Sequence, residues 1–281
     1  MWGITFVQVK DALELYPLFA FLAVRFLIAT ATLAVPAAPR LRTLGRRGVL
    51  AGAVLGALLA LGYALQTAGL ERTTVSSTGF ITGMYVVFTP LLALVLFRIR
   101  AGTAVWAGVL LSVGGLALLS GVDVGSPAGD ALVLAGAAAY SLQIALMERF
   151  APRYDALAFT LVEMATALVS FAAIAVALGE LETPRGWTVW GALAVTGVFA
   201  SALAFLVQTW AERRTSATRT ALAFAMEPVF TGIFGYTLAD DRLGAAGWCG
   251  CALILAGILV AEPAAARALA RLLGRSPTIA A

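Results

Sequence analysis

Long uninterrupted apolar runs dominate this chain and fix the environment in which it can fold. Nine runs are about as long as the roughly 20 residues that a helix needs to cross a bilayer. They are Tyr16–Val35, Val49–Gly69, Thr73–Phe97, Thr103–Ser120, Ala128–Met147, Ala156–Leu178, Thr188–Trp210, Ser216–Leu238 and Ala245–Ala261. A further run, Trp2–Val9, is too short to span, and we read it as an incomplete or shortened first helix. The runs are numbered with it as the first, so that Thr73–Phe97 is the fourth and Ser216–Leu238 is the ninth. The links between runs are short, and no alternating pattern favours strands.

Composition supports the same environment. Of 281 residues, 61% are hydrophobic and only 12% are charged, whereas a soluble domain carries roughly 25% charged residues. We therefore predict an all-α integral membrane protein with ten transmembrane helices around a central cavity. The chain has no histidine, and Cys249 and Cys251 point to different faces of one helix. We expect no disulfide between these cysteines, no metal site, no cofactor and no enzymatic activity.

The basic residues predict the orientation of the chain. If the first short run counts as a crossing, one side of the membrane receives fourteen arginines and the other receives only Lys10, Arg72, Arg185 and Arg242. The fourteen are Arg40, Arg42, Arg46, Arg47, Arg98, Arg100, Arg149, Arg153, Arg213, Arg214, Arg219, Arg267, Arg271 and Arg275. By the positive-inside rule we predict a bacterial-type inner membrane protein with both termini cytoplasmic. This distribution also argues against nucleic acid as the partner of a basic chain.

The chain resembles itself when it is shifted by 142 residues. The shift aligns Gln66-Thr67 with Gln208-Thr209, Arg72-Thr73 with Arg214-Thr215, Met84 with Met226, Trp106 with Trp248, Gly108 with Gly250 and Gly115 with Gly257. We predict a first five-helix repeat at 1–121, a second at 122–262 and a cytoplasmic tail at 263–281. Because five is odd, the second repeat enters the membrane from the opposite side, and inverted repeats are typical of secondary transporters.

Polar residues inside the apolar runs are candidates for function, because burying them in a bilayer is costly. Glu227 lies near the middle of the ninth run and precedes Pro228, which removes a backbone donor and favours a kink. We predict Pro90 and Pro228 as gating positions. Glu227 is predicted to bind substrate, with a protonated side chain hydrogen-bonded within the bundle as the alternative.

Two further pairs of polar residues are related by the repeat. Arg25 and Glu163 lie deep in their runs, and we expect a structural role in which they pair or cap backbone carbonyls. Gln66 and Gln208 are predicted near opposite membrane faces, as gates at the two mouths of one pathway. Ordinary interhelical hydrogen bonding is the alternative for both glutamines.

One face of the fourth run is unusually polar. Thr78, Thr82, Tyr85 and Thr89 recur at helical spacing, and the ninth run carries Thr220, Phe224, Glu227 and Thr231 on the corresponding face. We expect the two faces to meet at a midplane cavity for small amphipathic solutes. Its predicted substrate-binding residues are Trp2, Thr5, Tyr63, Thr78, Thr82, Tyr85, Tyr140, Gln143, Phe224 and Glu227. Interhelical packing is the alternative for each aromatic residue.

Several motifs resemble the EamA-type members of the drug/metabolite transporter superfamily. They are Trp2-Gly3 with Thr5-Phe6, Arg25-Phe26, Thr89-Pro90, Glu227-Pro228 and the glycine-rich fifth and tenth runs. The likeness covers the whole chain and is greatest to YddG-type exporters of aromatic and other amino acids. It implies export of small metabolites by alternating access from a cavity lined by the first, third, fourth, sixth, eighth and ninth spans.

We therefore predict a secondary transporter that exports amphipathic metabolites, including amino acids, and that works as a monomer with the lipid bilayer and a small molecule as its partners. A multidrug or cationic-compound exporter is the alternative within transport. A lipid-modifying membrane enzyme would need a catalytic cluster, and the sequence offers neither a histidine nor paired intramembrane carboxylates. A passive channel would differ in showing no trans-stimulation.

Overall fold

The structure is a computed structural model that describes residues 2–73, 75–98, 100–120, 126–224, 226–227 and 244–261, and most of these residues are helical. The helices are α1 (Trp2–Leu13), α2 (Leu18–Ala37), α3 (Gly45–Leu70), α4 (Val75–Gly83), α5 (Tyr85–Phe97), α6 (Thr103–Ser120), α7 (Pro127–Phe150), α8 (Ala156–Leu178), α9 (Trp187–Ala194), α10 (Ala204–Glu212), α11 (Ala217–Phe224) and α12 (Ala245–Ala261). The 3-10 turns Ala38–Thr43 and Ala151–Arg153 continue α2 and α7, and a π-helical segment, Val195–Leu203, joins α9 to α10.

Among the residues that the structure describes, five helical segments are long and apolar enough to cross a bilayer. They are Leu18–Thr43, Gly45–Leu70, Pro127–Arg153, Ala156–Leu178 and Trp187–Glu212. Ile81–Phe97, Thr103–Leu118 and Ala245–Ala261 are shorter apolar helices. Large apolar side chains such as Val95, Leu110 and Val169 are exposed on the outside of the bundle, as expected of a protein surrounded by lipid. These helices agree with a multi-pass membrane protein, and the count of ten crossings stays a prediction.

The fourth apolar run is broken where we expected one helix. α4 ends at Gly83 and α5 begins at Tyr85. Between them the N–H of Met84 bonds to the carbonyl of Ile81 at 3.1 Å, a three-residue step that replaces the regular four-residue ladder. A Cβ on Gly83 would lie 2.9 Å from Leu116 Cδ1, so a glycine here lets the end of α4 approach α6 closely.

Three other runs also differ from their predicted form. The first run forms a helix of 12 residues that continues beyond the predicted end at Val9. The eighth run is one helical segment, but its middle third is π-helical, a wide geometry that apolar periodicity does not reveal. The ninth run is helical from Ala217 to Phe224 and again at Met226 and Glu227, while Pro228 and Thr231 lie outside the described residues.

The contacts that α3 and α8 make with neighbouring helices set the arrangement at the centre of the bundle. α3 lies along both α7 and α8, and α2 lies between α8 and the π-helical segment. A Cβ on Gly56 of α3 would lie 2.5 Å from the carbonyl oxygen of Glu163 on α8, so the two backbones nearly touch. α6 and α12 form a separate pair through equally close glycine contacts. The first group of helices surrounds the polar interior described next, and the second pair braces its outside.

Candidate substrate-binding site

A cavity lies inside the helical bundle, lined by aromatic and apolar side chains together with a few polar groups, as is typical of small-molecule sites. Eight of the ten residues predicted to bind substrate line it. These are Thr5, Tyr63, Thr82, Tyr85, Tyr140, Gln143, Phe224 and Glu227. Thr78 is fully buried but does not line the cavity, and the side chain of Trp2 is not among those described. The structure thus brings together residues from α1, α3, α4, α5, α7 and α11.

Aromatic rings form much of the cavity wall. The Tyr63 ring lies at the centre, with its centroid 5.5 Å from that of Tyr140 in an edge-to-face contact and 6.3 Å from that of Phe205. Across the cavity, the rings of Tyr85 on α5 and Phe224 on α11 meet edge-to-face at 6.2 Å. The polar faces expected on the fourth and ninth runs therefore do meet. Such a wall offers stacking surfaces and polar ring edges to a flat or amphipathic solute.

The two glutamines predicted as opposite gates occupy the walls of this one cavity. Gln66 donates from Nε2 to Thr82 Oγ1 at 2.8 Å and accepts from the Tyr140 hydroxyl at 3.0 Å. Gln208 donates from Nε2 to Gln143 Oε1 at 3.1 Å. Both amides reach the same helix, α7, through Tyr140 and Gln143, and the role of the two glutamines as gates stays a prediction. Both glutamines hold cavity-lining side chains in position.

Pro90, one of the two predicted gating prolines, does not line the cavity. Pro90 is buried inside α5. Its ring removes one backbone donor, so the carbonyl four residues earlier, that of Val86, lacks its usual helical partner. Pro228 lies outside the described residues. Pro90 can therefore act on the cavity only through the direction of α5, which carries Tyr85 at its beginning.

Arg25 also lines the cavity, although we expected a purely structural role. Its Nε donates to Ser201 Oγ at 2.8 Å, and its Nη2 donates to the Tyr63 hydroxyl at 3.0 Å. The guanidinium carbon lies 4.6 Å from the centroid of the Tyr63 ring. The expected pairing with Glu163 is absent among the described residues, and the partners of Arg25 are hydroxyls rather than the backbone carbonyls we considered. α2 therefore joins the helices that the family resemblance implied for the cavity wall.

A buried chain of carboxyl and amide groups backs the other side of the wall. Glu163 Oε1 accepts from Gln143 Nε2 at 2.6 Å, and Gln143 Oε1 accepts from Gln208, which also donates to Glu212 Oε1 at 2.9 Å. The second carboxyl oxygen of each glutamate is buried without a hydrogen-bond partner among the described residues. Burying a carboxyl group is costly unless it is hydrogen-bonded, and here the side-chain amides supply those hydrogen bonds. This network of hydrogen bonds fixes Gln143 and Gln208 at the cavity surface.

The sequence did not single out four residues that shape this site. Phe205 lines the cavity, and the 142-residue shift that aligns it with Tyr63 could have found it. Ser201 orients Arg25, but only the π-helical geometry brings it there. Glu212 lies just after the eighth apolar run, so the sequence pattern places it in the link to the next run. Thr67, next to Gln66, also lines the cavity.

Comparison with known proteins agrees with this arrangement. The EamA-like transporter family matches residues 1–121 and again 127–261. An uncharacterized transporter of Archaeoglobus fulgidus is 31% identical over 264 residues, which cover 92% of this chain and 82% of the archaeal protein. A crystal structure of another protein superposes with a TM-score of 0.74 over 94% of this chain and 97% of its own, at 20% identity, so the two share a fold. The chain belongs to the EamA-like transporter family.

Proposed function

We propose that this protein is a secondary transporter that exports small amphipathic metabolites, among them aromatic amino acids, by alternating access at the central cavity. That it is a membrane transporter rather than an enzyme follows from its family and its relative. The solute class is our proposal, and the lining of the cavity carries it. Five aromatic rings share this lining with one arginine and one glutamate, so a solute with a flat apolar part and a charged group finds partners for both.

The distribution of lining residues between the two halves supports an inverted repeat around this cavity. The 142-residue shift pairs Tyr63 with Phe205, Gln66 with Gln208, Thr82 with Phe224 and Tyr85 with Glu227. All eight residues line the same cavity. A pseudo-twofold axis that passes through the cavity accounts for this pairing, because such an axis brings equivalent positions of two repeats to one point.

The contact between α6 and α12 supports the same axis. A Cβ on Gly108 would lie 2.5 Å from the carbonyl oxygen of Gly257, and a Cβ on Gly115 would lie 2.6 Å from that of Gly250. The shift relates Gly108 to Gly250 and Gly115 to Gly257, so exchange of the halves converts one contact into the other. Reciprocal contacts are the signature of twofold symmetry. Two halves related in this way can exchange conformations at similar energy, as alternating access requires.

Solute counterflow in proteoliposomes tests the proposal. We expect vesicles loaded with unlabelled L-phenylalanine or L-tryptophan to accumulate the labelled amino acid transiently, and we expect vesicles without internal substrate to show no such overshoot. Entry of the label only to the external concentration, with no overshoot in loaded vesicles, would indicate a channel. Absence of counterflow across a panel of amino acids, aromatic amines and aromatic acids would refute the proposed solute class.

Glu227 favours a second candidate, an exporter of organic cations, because a carboxyl group in an aromatic cavity is also a cation site. The variant Glu227→Gln separates the two functions. Export of cationic dyes that depends on the carboxylate should be lost in this variant. Export of amino acids should survive with altered affinity.

A further inference from the structure

Arg25 is a buried cation in contact with the cavity. Only 4% of its surface is exposed. Among the described residues its polar partners are the hydroxyls of Ser201 and Tyr63, and no carboxylate lies within ion-pair distance. A guanidinium carries five N–H groups, and these two hydrogen bonds use one on Nε and one on Nη2. Three N–H groups and a full positive charge therefore have no protein partner of opposite sign in this part of the chain.

Such a charge is costly unless an anion accompanies it. Removing a cation from water without a counter-charge disfavours the folded protein, and paired burial is the usual solution. Glu163 is the obvious internal candidate, since it is buried and related to Arg25 by the repeat. Its carboxyl group is instead held by Gln143 at 2.6 Å. The partner of Arg25 is therefore to be sought in the cavity that its side chain lines.

The surroundings of Arg25 hold it in one orientation. The π-helical segment presents Ser201 to Nε, and a Cβ on Gly197 of the same segment would lie 3.0 Å from the carbonyl oxygen of Arg25. Because this close approach fixes α2 against the segment, the guanidinium has little freedom to leave the cavity wall. The Tyr63 hydroxyl fixes Nη2 from the opposite side. A guanidinium fixed at two corners presents its remaining donors as a preorganised fork.

We infer that Arg25 binds the carboxylate of the transported solute, so the cavity selects amphipathic carboxylic acids and amino acids over amines and amides of the same shape. This inference rests on the proposed transport function and names the group that the solute must carry. The aromatic wall around Tyr63 takes the apolar part of the solute. A guanidinium–carboxylate contact inside a dry cavity is a charge-assisted and often bidentate bond, so its removal weakens binding by about ten- to a hundredfold.

The test first uses the unaltered protein, which avoids any variant that fails to fold. In proteoliposomes that show counterflow of labelled L-phenylalanine, three competitors of similar shape are compared: L-phenylalanine itself, 3-phenylpropionate and L-phenylalanine amide. The second lacks the ammonium group, and the third lacks the carboxylate. We expect 3-phenylpropionate to compete within a fewfold of L-phenylalanine, and we expect the amide to need at least ten times the concentration. Equal competition by the amide would overturn the inference and leave the transport function standing.

Variants then assign the effect to Arg25. Arg25→Gln should remove the difference between the carboxylate and the amide, and Arg25→Lys should keep the charge while losing much of the affinity, because an ammonium cannot reproduce the fork. Leu110→Ala on the outer surface is the control, since it leaves Arg25 and its partners Ser201 and Tyr63 in place, and it should keep the discrimination between the carboxylate and the amide. Unchanged discrimination in Arg25→Gln would reject the assignment. If none of L-phenylalanine, 3-phenylpropionate and L-phenylalanine amide is transported, the proposed solute class fails together with this inference.

Discussion

Two adjacent glycines in α6 allow a clean test of how the outer helix pair is held together. A Cβ built on Gly115 lies 2.6 Å from the carbonyl oxygen of Gly250 and 2.7 Å from Ile254 Cγ1. A Cβ built on Gly114 meets nothing within 4 Å. The variants Gly115→Ala and Gly114→Ala therefore add the same methyl group to the same helix. They differ only in whether α12 has room for it.

The magnitude follows from these distances. Real Cβ atoms essentially never lie closer than 3.0 Å to another heavy atom, so α12 must move by about 0.4 Å or more to admit the methyl group on Gly115. Because the nearest obstacle is backbone, no side-chain rotation relieves the contact. Overpacking of this kind costs about 1–3 kcal/mol. Both variants gain the same helix propensity, which cancels in the comparison. Gly115→Ala should therefore be less stable than Gly114→Ala by about 1–3 kcal/mol.

A thiol-reactive dye provides the assay. Cys251 on α12 is buried and becomes reactive only when the helices separate, whereas Cys249 is exposed and is replaced by alanine in all samples. For a chain of this size the expected difference corresponds to roughly 2–8 °C in the unfolding midpoint in detergent. Counterflow at low temperature should be retained by both variants, because no described residue of α6 or α12 lines the cavity. Equal midpoints, or a more stable Gly115→Ala, would refute the close packing of this pair.

Three other predictions concern the cavity and the orientation of the chain. Gln208→Ala removes two hydrogen bonds at the cavity wall, and at about 0.6 kcal/mol each it should lower stability by about 1 kcal/mol while reducing counterflow severalfold; full activity would remove Gln208 from the pathway. Tyr85→Ala removes the ring that meets Phe224 and should weaken solute binding by about tenfold, measured as the half-saturating concentration for counterflow, whereas Leu110→Ala on the outer surface should not change it. A reporter fused after Ala281 should be active only in its cytoplasmic form, and a periplasmic signal would contradict the orientation predicted from the arginines.

The sequence predicted the helices well because, inside a membrane, the length of an apolar run is enough to identify a helix. Lipid excludes every spanning structure with unpaired backbone groups, so an apolar run of sufficient length is a helix almost by necessity. The expected runs at Val49–Gly69 and Ala156–Leu178 accordingly coincide with α3 and α8 to within a few residues. The break at Met84 and the π-helical segment at Val195–Leu203 were not predicted. Both lie beside close contacts with other helices, at Gly83 and at Gly197, which local composition does not reveal.

The residues that line the site were easier to predict from the sequence than the hydrogen bonds between them. Polar side chains in apolar runs are expensive, so most of the residues flagged by that cost do line one cavity. Their partners were not readable, because hydrogen bonds depend on how helices rotate against each other. Arg25 and Glu163, which lie deep in their runs and are related by the repeat, were expected to pair or to cap backbone carbonyls, yet Arg25 binds Ser201 and Glu163 binds Gln143. Ser201, which binds Arg25, lies in the π-helical segment that the sequence did not predict.

The pairs related by the 142-residue shift reveal which properties the two halves share. Tyr63 and Phe205 keep an aromatic ring, and Gln66 and Gln208 keep an amide that bonds to α7. Under the proposed alternating access these shared features would belong to the scaffold, since two halves that exchange conformations need equivalent packing and equivalent internal hydrogen bonds. The charged positions do not follow this rule, because Tyr85 corresponds to Glu227.

A charge that has no counterpart in the other half cannot make equivalent contacts in both halves, so it would not support an exchange of conformations as the shared pairs would. Arg25 aligns with Glu163 at a shift of 138, yet Arg25 lines the cavity and Glu163 lies behind Gln143. The asymmetric charges therefore give the cavity a polarity that symmetry alone would cancel, with a cation fixed beside Tyr63 and a carboxyl group at Glu227. A solute that carries a carboxylate and an ammonium group has a preferred orientation in such a field. Under the proposed alternating access, the pairs shared by the two halves would support movement between states, and the unmatched charges would determine which solute moves.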